Sequence, residues 1–113
     1  MSSSLSIIIV NWNTRELLRQ CLESVYATVH GLDFEVWVVD NASEDGSAAM
    51  MEEEFTQVRL IANEQNVGFA SANNQALRIC QGRNILLLNS DTVVPENSIL
   101  LMVKFMDAHP EAG

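Results

Sequence analysis

The sequence predicts an α/β protein, an open, doubly wound, mostly parallel sheet of Rossmann-like type built from four strand–helix units. Three observations predict it. One phrase recurs four times along the 113 residues: a short apolar run, a polar loop, then an amphipathic stretch at helical spacing. The apolar runs are rich in Ile, Val and Leu without strict alternation, as expected of parallel strands covered on both faces. The linking segments are short, and each crossover between parallel strands is right-handed, so few topologies remain.

The first strand is Leu5 to Val10, and Thr14 and Glu16 open a helix whose stripe is Leu17, Leu18, Cys21, Leu22 and Val25. Gly31 ends that unit. The second strand is Phe34 to Val39, and Ser43 or Asp45 starts a helix in which Ala48, Met51 and Phe55 share a face while Glu52, Glu53 and Glu54 mark solvent. The third strand is Val58 to Ala62, followed by a helix carrying Ala72, Ala76, Leu77 and Cys80 and by Gly82. The fourth strand, Ile85 to Leu88, leads to a helix with Pro95 at an early position, Glu96 behind it, and a stripe of Ile99, Met102, Val103 and Met106. His109 to Gly113 read as a helix stop and a turn leading onward, so residues 1–113 are expected to be the front part of a longer protein.

Composition narrows the function. Fifteen Asp and Glu against six Lys and Arg leave a formal charge of -9, with 48% of residues apolar. Nucleic-acid affinity comes largely from Lys and Arg neutralising phosphates, so no nucleic-acid partner is expected. The longest apolar runs, Leu5 to Val10 with Ser6 inside it and Ile99 to Val103, fall far below the roughly 18 residues that span a bilayer. Met1 to Ser4 carry no basic residue and open no apolar stretch of signal-peptide length, so a cytoplasmic location is expected, with Cys21 and Cys80 reduced.

In an open α/β sheet the ligand crevice lies beyond the carboxyl ends of the strands. Each of the four loops there carries Asn or Asp: Asn11, Trp12, Asn13, Thr14 and Arg15; Asp40, Asn41, Ala42 and Ser43; Asn63 to Gly68; and Asn89, Ser90, Asp91 and Thr92. These are also ordinary turn residues, but four such loops on one edge suit a polyhydroxylated or heterocyclic ligand. Two carboxylates on a chain of charge -9 repel a phosphorylated ligand, and a divalent cation, Mg²⁺ or Mn²⁺, reconciles them. Trp37 reads as core, whereas Trp12 either stacks on a base or packs beneath it. Gly-x-Gly-x-x-Gly, the P-loop, Cys-x-x-Cys and Gly-x-Ser-x-Gly are all absent, and His30 and His109 are isolated.

Four phrases in these positions, Ile8-Ile9-Val10-Asn11-Trp12-Asn13, Val38 to Ser47, Asn66 to Asn74 and Leu86 to Thr92, resemble the nucleotide-binding part of the inverting family 2 glycosyltransferases, in their rhamnosyltransferase-like branch. The resemblance covers nearly the whole chain and implies a glycosyltransferase A-type fold. It also implies transfer of a sugar from a nucleotide-sugar donor, a UDP- or dTDP-sugar, to an acceptor hydroxyl with inversion. By the same resemblance Val10, Asn11, Trp12 and Asn13 line the nucleobase, and Asp40, beside Asn41, accepts a hydrogen bond from a pyrimidine ring N–H. Asn66 and Gly68 close round the nucleotide. Asn89, Ser90 and Asp91 form the diphosphate loop, with Asp91 as the metal ligand. Asn89 stands where many relatives have Asp, which leaves one carboxylate fewer for a metal, and Ala76 stands where Gly is common. The resemblance puts the general base and the site for a saccharide or lipid-linked acceptor downstream of Gly113, in a part that would also bring the protein to the inner membrane face. The rival reading is a non-catalytic α/β nucleotide-binding or interaction module.

Overall fold

A computed structural model describes residues 5–108. The helix stop expected at His109 to Gly113 and the segment Met1 to Ser4 lie outside the described residues. The elements alternate as β1 (Leu5–Asn11), α1 (Arg15–Thr28), β2 (Phe34–Asp40), α2 (Ser47–Glu54), β3 (Arg59–Ala62), α3 (Phe69–Leu77), β4 (Asn84–Asn89) and α4 (Ser98–Ala108). All strand pairs are parallel, in the order β3-β2-β1-β4. The chain therefore reverses its direction of growth between β1 and β4, and this is where a crevice opens in such sheets.

Alternation along the strands sorts side chains into two layers. Leu5, Ile7, Ile9, Val36 and Val38 point to one face, where Leu18, Cys21, Leu22 and Val25 of α1, Met50 and Met51 of α2, and Ile99 and Val103 of α4 cover them. Ile8 and Val39 point to the other face and meet Ala72 and Ala76 of α3. With Ala at both contact positions, α3 can lie close to the sheet. It lies over β1 and β2, so β4 is covered on one face only: Leu86 and Leu88 pack in the core, while Ile85 and Leu87 are 47% and 50% exposed. Coverage of every strand on both faces, expected from composition, thus fails at β4.

Smaller corrections have local causes. Leu17 and Leu77, assigned to buried stripes, are exposed at the edges of their helices, Met102 likewise faces out, and Cys80 lies beyond the end of α3. α2 begins at Ser47, behind a left-handed Gly46 with φ 85°, and Asp45 accepts from the Ser47 N–H and hydroxyl. α4 begins at Ser98, not at Pro95. Asn97 has φ 64°, outside the right-handed helical region, and Pro95 instead closes a turn by accepting from the Ser98 N–H.

The amino ends of the strands are locked by a buried carboxylate. Glu35 Oε2 accepts from Ser6 Oγ at 2.6 Å and from the Gln81 N–H at 2.7 Å, and Ser6 Oγ in turn accepts from the Gly82 N–H at 2.7 Å. Arg59 Nε lies 3.5 Å from Glu35 Oε1 and its guanidinium sits over the Trp37 ring. Burial works to raise the Glu35 pKa, but the Ser6 and Gln81 hydrogen bonds, the nearby Trp37 indole N–H and the Arg59 charge outweigh it and hold the carboxyl below its ordinary value. The Trp37 Nε1 itself is buried without a hydrogen bond of good geometry. Because the folded-state pKa is depressed, this stabilisation is fully present above the unfolded glutamate value of about 4.3 and is lost as pH falls through the folded value. Acid titration of stability, followed by circular dichroism, is therefore expected to show a steeper loss below about pH 4 in the native chain than in Glu35→Gln.

Candidate nucleotide-sugar site

The register of β1 against β2 pairs Asn11 with Asp40, and that of β1 against β4 pairs Val10 with Asn89, so three of the four expected loops meet at one sheet edge. Asp40 is 3% exposed and its carboxylate organises the loops. Oδ1 accepts from Asn11 Nδ2 at 2.9 Å and from Ser43 Oγ at 2.7 Å, and Oδ2 accepts from the Ser43 N–H at 3.0 Å. A carboxylate has about four acceptor positions, so one remains, on Oδ2.

Asn41, 2% exposed, ties the second loop to the third. Its Nδ2 donates to the Gly68 carbonyl at 3.2 Å, and its Oδ1 accepts from Asn63 Nδ2 at 3.0 Å and the Val67 N–H at 3.4 Å. Asn63 and Gln75 exchange two amide hydrogen bonds of 2.9 Å, which tie the second half of α3 to the loop. Asn66 Oδ1 accepts from the Gly68 N–H at 2.8 Å, and Gly68 has φ 88°, a backbone angle that side chains rarely adopt. Ala42 and Asn13 are also left-handed, at 63° and 53°. Ala42 is strained there, and such strain persists only where surrounding bonds over-determine the backbone.

The first loop splits by exposure: Asn11 is fully buried, Val10 is partly buried, and Trp12 is 56% exposed. Asn13 anchors its own loop, its Oδ1 accepting from the Glu44 N–H and its N–H donating to Ser43 Oγ. Thr14 Oγ1 donates to Asn11 Oδ1 at 2.6 Å and lies 3.2 Å from Ser90 Oγ, which joins the first loop to the fourth. In that fourth loop Asn89 and Asp91 are exposed, and the Asn89 carbonyl accepts from the Thr92 N–H and from the Cys21 thiol. Burial, and then the negative charge of Asp91, push the Cys21 thiol up to about 11, so it stays protonated as a donor. Asp91 makes no hydrogen bond or ion pair among the described residues, which leaves its carboxylate available to a ligand.

A hard divalent cation takes oxygen ligands, commonly one or two carboxylates with substrate phosphates completing the shell. Asp91 fits as one such ligand with the Asn89 side-chain oxygen beside it in sequence, and no cluster of three or more acidic, His or Cys residues occurs among the described residues. Between the strands and helices as the structure bounds them, the four loops contain no Lys or Arg. Arg15, at the start of α1, already donates to the Asp45 carbonyl and to Glu16.

The sequence places Thr14 and Ser43 as helix openers in the crevice loops and Asn63 as a loop residue, gives Gln75 no role, and does not announce the bonds these four make. Two signals were present. Ser43 stands three residues after Asp40, a spacing at which an Asp side chain accepts from a backbone N–H as it does at a helix cap. Thr14 lacks a Glu or Gln three residues on, at Leu17, where a capping box would have one.

The family model for glycosyl transferase family 2 matches residues 6–113, and the chain belongs to that family. It is 31% identical over 104 residues to glycosyltransferase GlyG of Streptococcus pneumoniae, covering 88% of this chain and 34% of that protein. It is 35% identical over 106 residues to the uncharacterized glycosyltransferase YfnE of Bacillus subtilis, covering 92% of this chain and 26% of that protein. The chain thus spans about a third or less of the length of these relatives. Among solved structures, TarS 1-349 of S. aureus superposes with a TM-score of 0.85 at 24% identity over 97% of this chain and 33% of that one. The mannosyltransferase PcManGT of Pyrobaculum calidifontis, in complex with GDP-Man and Mn²⁺, gives 0.84 at 26% identity, covering 94% of this chain and 33% of that one. The fold is that of the GT-A glycosyltransferases. Among the described residues no helix is long and apolar enough to cross a membrane.

Proposed function

We propose that this chain forms the donor-nucleotide part of a metal-dependent glycosyltransferase, which moves a sugar from a nucleotide sugar to an acceptor hydroxyl with inversion. The observation that carries the reading is the exposed, unbonded Asp91 carboxylate at the sheet's switch point, beside loops that hold no cation of their own. A diphosphate arriving there meets a negatively charged protein, so it must bring a counter-charge. Asp91, with Asn89, would hold Mn²⁺ or Mg²⁺, and the bound cation would neutralise the charge that grows on the departing nucleoside diphosphate.

The chain's own residues position the nucleotide. Trp12 offers an exposed ring to the base, and Val10, Asn11 and Asn13 form the wall behind it. Asp40 presents its one remaining acceptor position to an imide N–H, a donor set between two carbonyls in uracil and thymine, which favours a UDP- or dTDP-sugar. Asn41 holds Gly68 in place, and Asn66 and Gly68 close over the nucleotide, where the bare glycine backbone permits close approach. The asparagine at position 89 agrees with the rhamnosyltransferase-like branch. Inverting transfer needs a base for the acceptor proton. Resemblance to the family puts that base, the saccharide or lipid-linked acceptor site and any contact with the inner membrane face in sequence downstream of these phrases. Residues 1–113 accordingly supply donor binding on the cytoplasmic side, and transfer needs that downstream part.

Titration calorimetry with UDP, dTDP and GDP, in Mn²⁺ and in EDTA, tests the reading. Binding of UDP or dTDP in Mn²⁺ and its loss in EDTA is expected. A folded chain that binds none of the three in Mn²⁺, or binds equally in EDTA, overturns it.

A further inference from the structure

Thr14 precedes α1 at the position where a threonine normally accepts a hydrogen bond from the helix's first free N–H groups, a contact worth roughly 0.5–2 kcal/mol. Its side chain makes no such bond. The hydroxyl turns instead into the crevice. It has one proton, which goes to Asn11 Oδ1 at 2.6 Å, so the 3.2 Å contact with Ser90 has Ser90 as donor. Asn11 Nδ2 in turn donates to Asp40 Oδ1 at 2.9 Å. A single directed chain therefore runs from Ser90 through Thr14 and Asn11 to the Asp40 carboxylate, each donor polarised by the negative charge at its end. It crosses from β4 over β1 to β2, between the two carboxylates of the crevice. With its proton committed to Thr14, Ser90 faces any further group as an acceptor, as suits a turn next to a cation.

We propose that Thr14 is a positioning residue: its hydroxyl fixes the Asn89–Asp91 turn relative to Asp40, and so sets the distance between the metal end and the base end of the donor site. The functional half of this inference rests on the reading above; the structural half does not. Partners that orient a metal ligand from behind commonly change metal affinity by about 10–100-fold when removed. Valine at position 14 matches the shape of threonine and removes both bonds, whereas serine keeps the hydroxyl.

The test compares the native 113-residue chain with Thr14→Val, Thr14→Ser and Ser90→Ala. Amide hydrogen exchange at Ser90, Asp91 and Thr92 is read without ligand, and UDP affinity is read at saturating and limiting Mn²⁺. Thr14→Val is expected to speed exchange in that turn and to weaken Mn²⁺-dependent UDP affinity by about tenfold. Thr14→Ser should restore both, and the double variant with Ser90→Ala should be no worse than Thr14→Val alone. Unchanged exchange in Thr14→Val, or the same loss in Thr14→Ser, overturns the proposal, and Ser90→Ala provides the same test should the valine variant fold poorly. Faster exchange in a protein whose native form binds no UDP with Mn²⁺ supports the tie and overturns the donor-site reading instead.

Discussion

Alanine at position 82 is expected to destabilise the protein by about 1–3 kcal/mol, the usual cost of forcing a group into a packed site, and its effect should exceed that of a surface substitution several-fold. A Cβ at Gly82 would clash with the Ser6 nitrogen and stand 2.6 Å from both the Leu5 carbonyl carbon and Ser6 Oγ. Two of these three atoms are backbone of β1, the strand at the centre of the sheet, and cannot swing aside. Moving the 81–82 segment away would break the Gly82 and Gln81 N–H bonds to Ser6 and Glu35, which pin the entry to β4. For a domain of this size each kcal/mol lowers the melting temperature by about 4–8 °C, so thermal unfolding followed by circular dichroism measures the effect directly. A melting temperature within a degree of native would mean that the strand ends do not approach as closely as described.

The second large effect belongs to Asp40. Removing the carboxylate in Asp40→Ala leaves the Ser43 N–H and hydroxyl without an acceptor and Asn11 Nδ2 with only its 3.3 Å contact to Ser43 Oγ, and each buried donor so stranded costs roughly 1–3 kcal/mol. The loops of β1 and β2 would separate, and nucleotide affinity should fall with them. Asp40→Asn separates the two roles. Its oxygen can still accept from Asn11 and Ser43 Oγ, while its NH₂ meets donors: the Ser43 N–H and, in the proposed complex, the imide N–H. Stability should fall modestly and UDP affinity more than tenfold, read by thermal melts and calorimetry on the same samples. Native-like UDP affinity in Asp40→Asn would confine Asp40 to holding the loops.

Most of the fold was legible because each strand and helix carries its own period. Leu18, Cys21, Leu22 and Val25 specify one buried stripe wherever the helix docks, and the Ile- and Val-rich runs specify strands. What depends on long-range placement was not legible. Ile85 and Leu87 are as apolar as Ile8, yet they lie bare because the order β3-β2-β1-β4 carries α3 over β1 and β2. The start of α4 turned on the backbone of Asn97, whose left-handed angle the sequence around Pro95 does not announce. At the crevice the residue types were readable and their bonding was not. Asn11, Asp40 and Asn41 stood out as polar residues at strand ends, but only the parallel register makes them a buried framework, leaving Trp12, Asn89 and Asp91 as the groups that face outward. Ser43, Asn63 and Gln75 read as ordinary turn and helix residues until their partners, up to 32 residues away, were brought alongside.

The central claim, that a nucleoside diphosphate and a divalent cation bind together at the carboxyl ends of β1 and β4, is tested most directly by paramagnetic broadening of backbone amide signals. Mn²⁺ added in small amounts to the isotopically labelled chain with UDP should broaden Asn89 to Thr92 first, then Asn11 to Thr14, and Asp91→Ala should abolish that pattern. Broadening centred on Glu52 to Glu54, or a pattern at the crevice that survives in Asp91→Ala, would contradict it.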